Sequence, residues 1–135
     1  MDFSDTMGIS ASGMRAQAKR LQVAAENLAN QETTGTTAGA DPYRRKTITF
    51  KETLNRTSGV SGVDIKEIGQ DQTPFETKYD PSHPAADANG LVKMPNVSAM
   101  VEILDTHEAQ RSYEANLNTM QITRSMLTRT INLMK

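Results

Sequence analysis

The 135-residue sequence contains no cysteine and no tryptophan, and it has only three phenylalanines and three tyrosines. Without thiols there is no disulfide framework, no thiolate metal site and no cysteine nucleophile, and reducing and oxidising compartments are equally open to the chain. So few rings give little to stack bases on. Fifteen Lys and Arg against sixteen Asp and Glu give no net positive field for a polyanion, so nucleic acid is not an expected partner. Apolar runs never exceed three residues, far short of the ~20 that span a bilayer. The opening MDFSDTMGISAS carries Asp2 and Asp5 in place of a basic leader, with no apolar segment behind it, so no cleaved signal peptide is expected. Strong hydrophobes are scarce too: Leu, Ile, Val and Phe make up 24 of the residues. Below about 20 % of these residues, burial struggles to offset chain entropy. With a net charge of only −1, self-repulsion does not explain the shortage. The balance points to one domain's length of chain that completes its core by packing against neighbours.

What is present is concentrated at the two ends. Met7, Ala11, Met14, Ala18, Leu21, Ala25 and Leu28 recur at alternating steps of four and three, which is the seam of a coiled-coil helix. Phe3 extends it by one more step, Ser4 or Asp5 is placed to cap its start, and Asn30 to end it before the Thr/Gly-rich stretch QETTGTTAGAD. Gly8 and Gly13 lie inside this helix at about 1 kcal/mol each relative to Ala, so it needs a partner. At the other end no Gly or Pro interrupts Val97 to Met134, which predicts one long helix with Asn96 as its N-cap. Leu117, Met120, Leu127, Ile131 and Met134 form its seam.

Between the helices the period changes to two. Tyr43 to Phe50, Val63 with Ile65, Phe75 to Tyr79 and Leu91 to Met94 predict short strands, and Asn89-Gly90 signals a two-residue hairpin turn. The expected fold is α+β and mainly α: terminal helices pairing as a coiled-coil-like inner domain (1–30 and 96–135) around a loop and small β-hairpin region (31–95). Charge is segmented along the chain, at +3 over 41–56, −3 over 64–80, −3 over 102–114 and +3 over 124–135. Such patches suit head-to-tail stacking of subunits, and equally suit solvated faces.

Residues able to carry chemistry are few. His83 stands in a Pro-rich loop and His107 on the long helix near Asp105 and Glu108, where a solvated imidazole is the simpler reading than a metal ligand or general base. Aligning Gly90 with the glycine of a calcium loop puts Ala85 and Asn96 where carboxylates are required, so Asp87-Ala88-Asn89-Gly90 reads as a turn. No Gly-rich phosphate loop or nucleophile elbow occurs. Arg44-Arg45-Lys46 is either an anion grip for phosphate or lipid, or a sheet-edge guard and protein contact. No active site, metal, cofactor or small-molecule substrate is expected.

The stretch ISASGMRAQAKRLQVAAENLANQETT followed by PYRRK resembles the N-terminal signature of bacterial flagellar axial proteins, the rod, hook and hook-associated subunits. The residues that carry the motif here are Asn27, Leu28, Ala29, Asn30, Tyr43, Arg44 and Arg45, with Asn96, Tyr113 and Asn116 in the second half. ADANG, Pro95-Asn96-Val97 and Arg111 to Asn116 resemble the proximal-rod type. Thr34 and Tyr43 are separated by GTTAGADP, a longer loop than most axial families have at this point. The resemblance implies a self-assembling tubular drive shaft that carries torque across the periplasm, without catalysis. As partners it implies copies of this chain, other rod subunits, the inner-membrane (MS) ring with its rod adaptor, and the flagellar type III export apparatus. Phe3 and Met7 are similar to a short Phe-x-x-x-apolar export element. Competing readings are a cytoplasmic coiled-coil adaptor or export chaperone, and a small enzyme built on His83 or His107.

Overall fold

A computed structural model describes residues 3–56 and 59–134; Met1, Asp2 and Lys135, within the expected terminal segments, lie outside the described residues. Helix α1 (Phe3–Ala29) is rich in Ala, Gln, Lys, Arg and Leu, residues that lose little freedom in a helix. It already runs at Phe3, so Ser4 and Asp5 lie inside it instead of capping it. It ends as expected at Asn30, whose side-chain amide donates to the Glu26 carbonyl at 2.8 Å and takes up one of the acceptors that a helix end leaves unpaired. Helix α2 (Ala99–Leu133) has 35 residues, about 52 Å of length.

The two helices lie antiparallel. Asn27 meets Glu102, Arg20 meets Asp105 and Glu108, and Gly13 lies against Asn116. Each step down α1 is matched by one up α2. From about Leu127 onward α2 therefore extends past the level of Phe3, and Leu133 is 88 % exposed.

Between them, β1 (Lys46–Asn55) and β2 (Val60–Gln70) form an antiparallel ribbon, and β3 (Glu76–Tyr79) pairs with β4 (Leu91–Met94) in a second one. A register shift at Thr49/Phe50 leaves Lys66 without a cross-strand partner, a bulge that keeps the Ile48–Ile68 and Phe50–Ile65 pairs on one face. The ribbon is tied to α1 by Ser12. Its hydroxyl donates to the Ile9 carbonyl at 2.7 Å and accepts the Val63 N–H at 3.1 Å.

The structure corrects three local expectations. The first strand starts at Lys46, because Tyr43 N–H goes to the Thr33 carbonyl and Arg45 N–H to the Asn96 side chain. For the same reason Asn96 does not cap α2; the N-cap is Ser98, which makes no side-chain cap bond. Asn89-Gly90 closes no two-residue hairpin, since residues 80–90 join β3 to β4 and the pair belongs to a turn at the end of that loop.

The predicted α1 seam is not the stripe that closes on α2. The stripe that does is displaced by two residues, about 200° around a helix, to Ile9, Gly13, Ala16, Arg20, Val23 and Asn27. Ala16 and Val23 are buried; Ala18 and Ala25 are exposed, while Met7, Ala11, Met14, Leu21 and Leu28 stay half-exposed. The core is correspondingly small and built of short side chains, with Ala16, Val23, Ala24, Ala85, Val92 and Ala109 as its buried apolar members. Such side chains let the two backbones come close. A Cβ on Gly13 would stand 2.9 Å from the Asn116 amide.

Candidate assembly surfaces

Four of the motif residues, Asn27, Tyr43 and Arg45 from the first half and Asn96 from the second, meet in one polar knot. Asn27, 1 % exposed, uses every hydrogen-bonding site of its amide. Its Nδ2 donates to the Lys46 carbonyl at 2.9 Å and to Glu102 Oε2 at 3.1 Å. Its Oδ1 accepts the Tyr43 hydroxyl at 2.9 Å and the Lys46 N–H at 2.8 Å. One side chain thus joins the end of α1, the start of β1 and the first turn of α2. Burial pushes the Tyr43 hydroxyl pKa up, keeping it a donor.

Glu102 is the second buried centre, also 1 % exposed. Its Oε1 accepts Arg45 Nε at 2.5 Å, and Arg45 reaches on to Asp71 at 3.5 Å. Burial works against the Arg45 charge as the largest single effect, but the hydrogen bond and charge of Glu102, with Asp71 adding to them, together outweigh it, and the guanidinium pKa ends above its ordinary value. Asn96 extends the knot by accepting from Arg45 N–H at 2.8 Å and donating to the carbonyls of Asp71 and Thr73, each at 3.1 Å. Arg44 lies 4.2 Å from the Phe75 ring centroid and donates to the Asp71 carbonyl at 3.0 Å, while Lys46 pairs with Glu26 at 2.8 Å. All three basic residues of Arg44-Arg45-Lys46 therefore have partners within the chain.

Glu102 and Asp71 were not among the residues that the sequence singled out. Glu102 had one visible sign: it interrupts Met100-Val101-Glu102-Ile103-Leu104, an otherwise apolar run, and a buried acid there needs a cation. Asn30 accepts the Thr33 hydroxyl at 3.1 Å. Leu28 and Tyr113 are half-buried, Ala29 is exposed, and Asn116 folds back onto the Ser112 carbonyl at 2.9 Å.

The outward surfaces are apolar in patches. At the start of α2, Met100 and Leu104 are 67 % and 60 % exposed on the side away from Glu102. Leu117, Met120 and Leu127 are half-buried, and Ile131 and Met134 are exposed beyond the reach of α1. Phe3 and Met7 are half-exposed on the first turns of α1. The two histidines stand apart. His83 accepts the Ala85 N–H at 3.0 Å in the 80–90 loop, and His107 is exposed on α2. Among the described residues no group of His, Asp or Glu is arranged to hold a metal ion, and no helix is long and apolar enough to cross a membrane.

A polar lock inside a helix pair, with apolar side chains left uncovered on the outward face of α2 at both its ends, defines a structural subunit made to be packed upon. The pattern of the family described as "Flagella basal body rod protein" matches residues 7–36, and that described as "Flagellar basal body rod FlgEFG protein C-terminal" matches 88–133. A protein named flagellar basal-body rod protein FlgC from Agrobacterium fabrum is 50 % identical over 127 residues, covering 94 % of this chain and 91 % of that one. Its namesake in Salmonella typhimurium is 40 % identical over 133 residues, 98 % of both chains, and that of Bacillus subtilis 35 % identical over 145 residues, 96 % of this chain and 97 % of its own. The chain belongs to the FlgC family of flagellar basal-body rod proteins. It is a structural rod subunit, not an enzyme, and the relatives give no support to an adaptor or chaperone.

Proposed function

We propose that this subunit builds the tubular rod by docking the outward seam of α1 (Met7, Ala11, Met14, Ala18, Leu21, Ala25, Leu28) and the far end of α2 (half-buried Leu127, exposed Ile131 and Met134) against neighbouring subunits, copies of itself and other rod proteins among them. Half-buried Leu117 and Met120 continue the α2 seam toward its covered part. The observation that carries this is the two-residue displacement: α1 closes on α2 through one stripe and leaves a second, regular apolar stripe only half covered on its other side. Each Leu buried there contributes about 1.5–3 kcal/mol to assembly.

On the same reading residues 1–30 and 96–135 act as the inner helical unit and 31–95 as the bridging β region. The rod seats on the inner-membrane (MS) ring through its adaptor and transmits torque across the periplasm, a load suited to long interlocked helices. The chain reaches the rod through the flagellar type III export apparatus, without a cleaved signal peptide and with Phe3 and Met7 as the engaging element. Support comes from the half-covered apolar stripe, the scarcity of strong hydrophobes and the family itself.

Leu21→Asp tests the docking surface. It places a charge on a half-exposed helix position, so the free chain should keep its helical circular dichroism while rod incorporation and motility are lost. Retained motility would remove the α1 seam from the assembly.

A further inference from the structure

The sequence has a single Asn-Gly pair, Asn89-Gly90, and the structure shows how it is held. Asn89 is exposed and Gly90 is buried. Gly90 N–H donates to the Asp87 carbonyl at 3.0 Å, making a turn with Asp at its first position and Gly at its last, and Gly90 has φ +77°. The Asp87 carboxylate accepts Asn89 N–H at 2.8 Å and Leu91 N–H at 2.9 Å, so one side chain fixes the backbone on both sides of the pair. Asp80 N–H to the Gly90 carbonyl at 2.9 Å closes the loop onto β3.

We infer that Asn89 is a self-modification site that the folded turn keeps silent. In an open chain the Gly90 nitrogen attacks Asn89 Cγ, losing its own proton as the side-chain amide leaves as ammonia, and a five-membered succinimide forms. Water then opens the ring to aspartate or isoaspartate. The sum is amide plus water to carboxylic acid plus ammonia, with no oxidant, enzyme or cofactor. Glycine makes the attack easy because no Cβ shields its nitrogen. In the turn the same nitrogen has its N–H committed to Asp87, and the backbone rotation that would bring Asn89 Cβ into the carbonyl plane would break the Asp87 bonds.

The product does not fit this turn. Isoaspartate adds a methylene to the backbone between Ala88 and Gly90 and places a new carboxylate beside Asp87. The 80–90 loop also braces the 31–41 loop, through Gly39 N–H to the Ala85 carbonyl at 3.2 Å, and β4 contributes the Lys93–Asp41 pair at 2.7 Å. Modification therefore records time spent unfolded and marks chains that can no longer close this region.

The test incubates the purified full chain at mildly alkaline pH, with and without urea, and quantifies aspartate and isoaspartate at position 89 by peptide mapping. Modification should be at least about tenfold slower without urea, the protection expected of a locally closed turn. Asp87→Ala should remove most of that protection in native buffer and leave the rate in urea unchanged. Asn89→Gln, too long for the five-membered ring, should abolish the signal in both. Equal rates with and without urea, or an unchanged native rate in Asp87→Ala, would overturn the inference.

Discussion

The two ends of the helix pair are held by different means. Near Asn27 the contacts are polar, buried and drawn from four segments of the chain, and each hydrogen bond constrains a direction as well as a distance. Near Leu133 the side chains are apolar and largely in solvent, and α1 does not reach them. The polar end specifies how the subunit closes on itself; the apolar end leaves open what closes on it. Hydrogen bonds fix a geometry at modest net gain, whereas apolar burial gains more and discriminates less. A subunit that must have one shape and many neighbours needs both, and here they occupy different faces: even beside the buried Glu102, Met100 and Leu104 point out and stay exposed.

That contrast can be broken from its polar side. Arg45→Met should have the largest effect, about 4 kcal/mol of stability, because it leaves the buried Glu102 carboxylate without its cation. Urea denaturation would show it as a lower midpoint. Asn27→Asp comes next at about 3 kcal/mol. The isosteric carboxylate still accepts from Tyr43 and Lys46, but it loses both donors and faces Glu102 with a like charge. A loss within 0.5 kcal/mol in either variant would show that the knot does not hold this end together.

On the apolar side, Gly8→Ala should stabilise the free chain by roughly 0.5–1 kcal/mol, since Gly8 is inside α1 and an added Cβ meets nothing within 4 Å. If the outward side of α1 is a docking surface, the same substitution should weaken rod incorporation, and thermal stability and incorporation would then move in opposite directions. The smallest effect is acid sensitivity. Glu26 is held below its ordinary 4.5 by the Lys46 hydrogen bond, then by Gln22. Asp71 is held below 3.8 by Thr73, with Arg45 adding to it. The unfolded chain protonates these carboxylates first. Their contribution is therefore complete above about pH 4.5 and disappears as pH falls through the lower folded values, as a pH series of melts would show.

Much of this was legible in the residues themselves. The seven-residue seam, the stop at Asn30, the period-two middle and the uninterrupted last segment gave the helices, the strands and the α+β class, because local pattern decides those. Several of the misread features were those where a side chain found a distant partner. Asn96 looked like a cap and became a brace for Arg45 and Asp71; Arg45 looked like strand and became the counter-ion of Glu102. Apolar spacing also located a real stripe on α1 but not the stripe that meets α2. The intrachain contact is made with Gly13, Ala16, Arg20 and Asn27, small or polar residues that a search for hydrophobes passes over.

The Asn27–Glu102 bond spans 75 residues of chain, with one partner in the first helix and the other in the last. Closure of such a distant pair is slow and cannot begin until both are free to meet. A polypeptide delivered from its amino end would pass its first helix, its loops and both ribbons through before the acid that completes the junction appeared. On the proposed export route the arrangement would set a time order, with threading first and the final shape taken up only when the tail arrives.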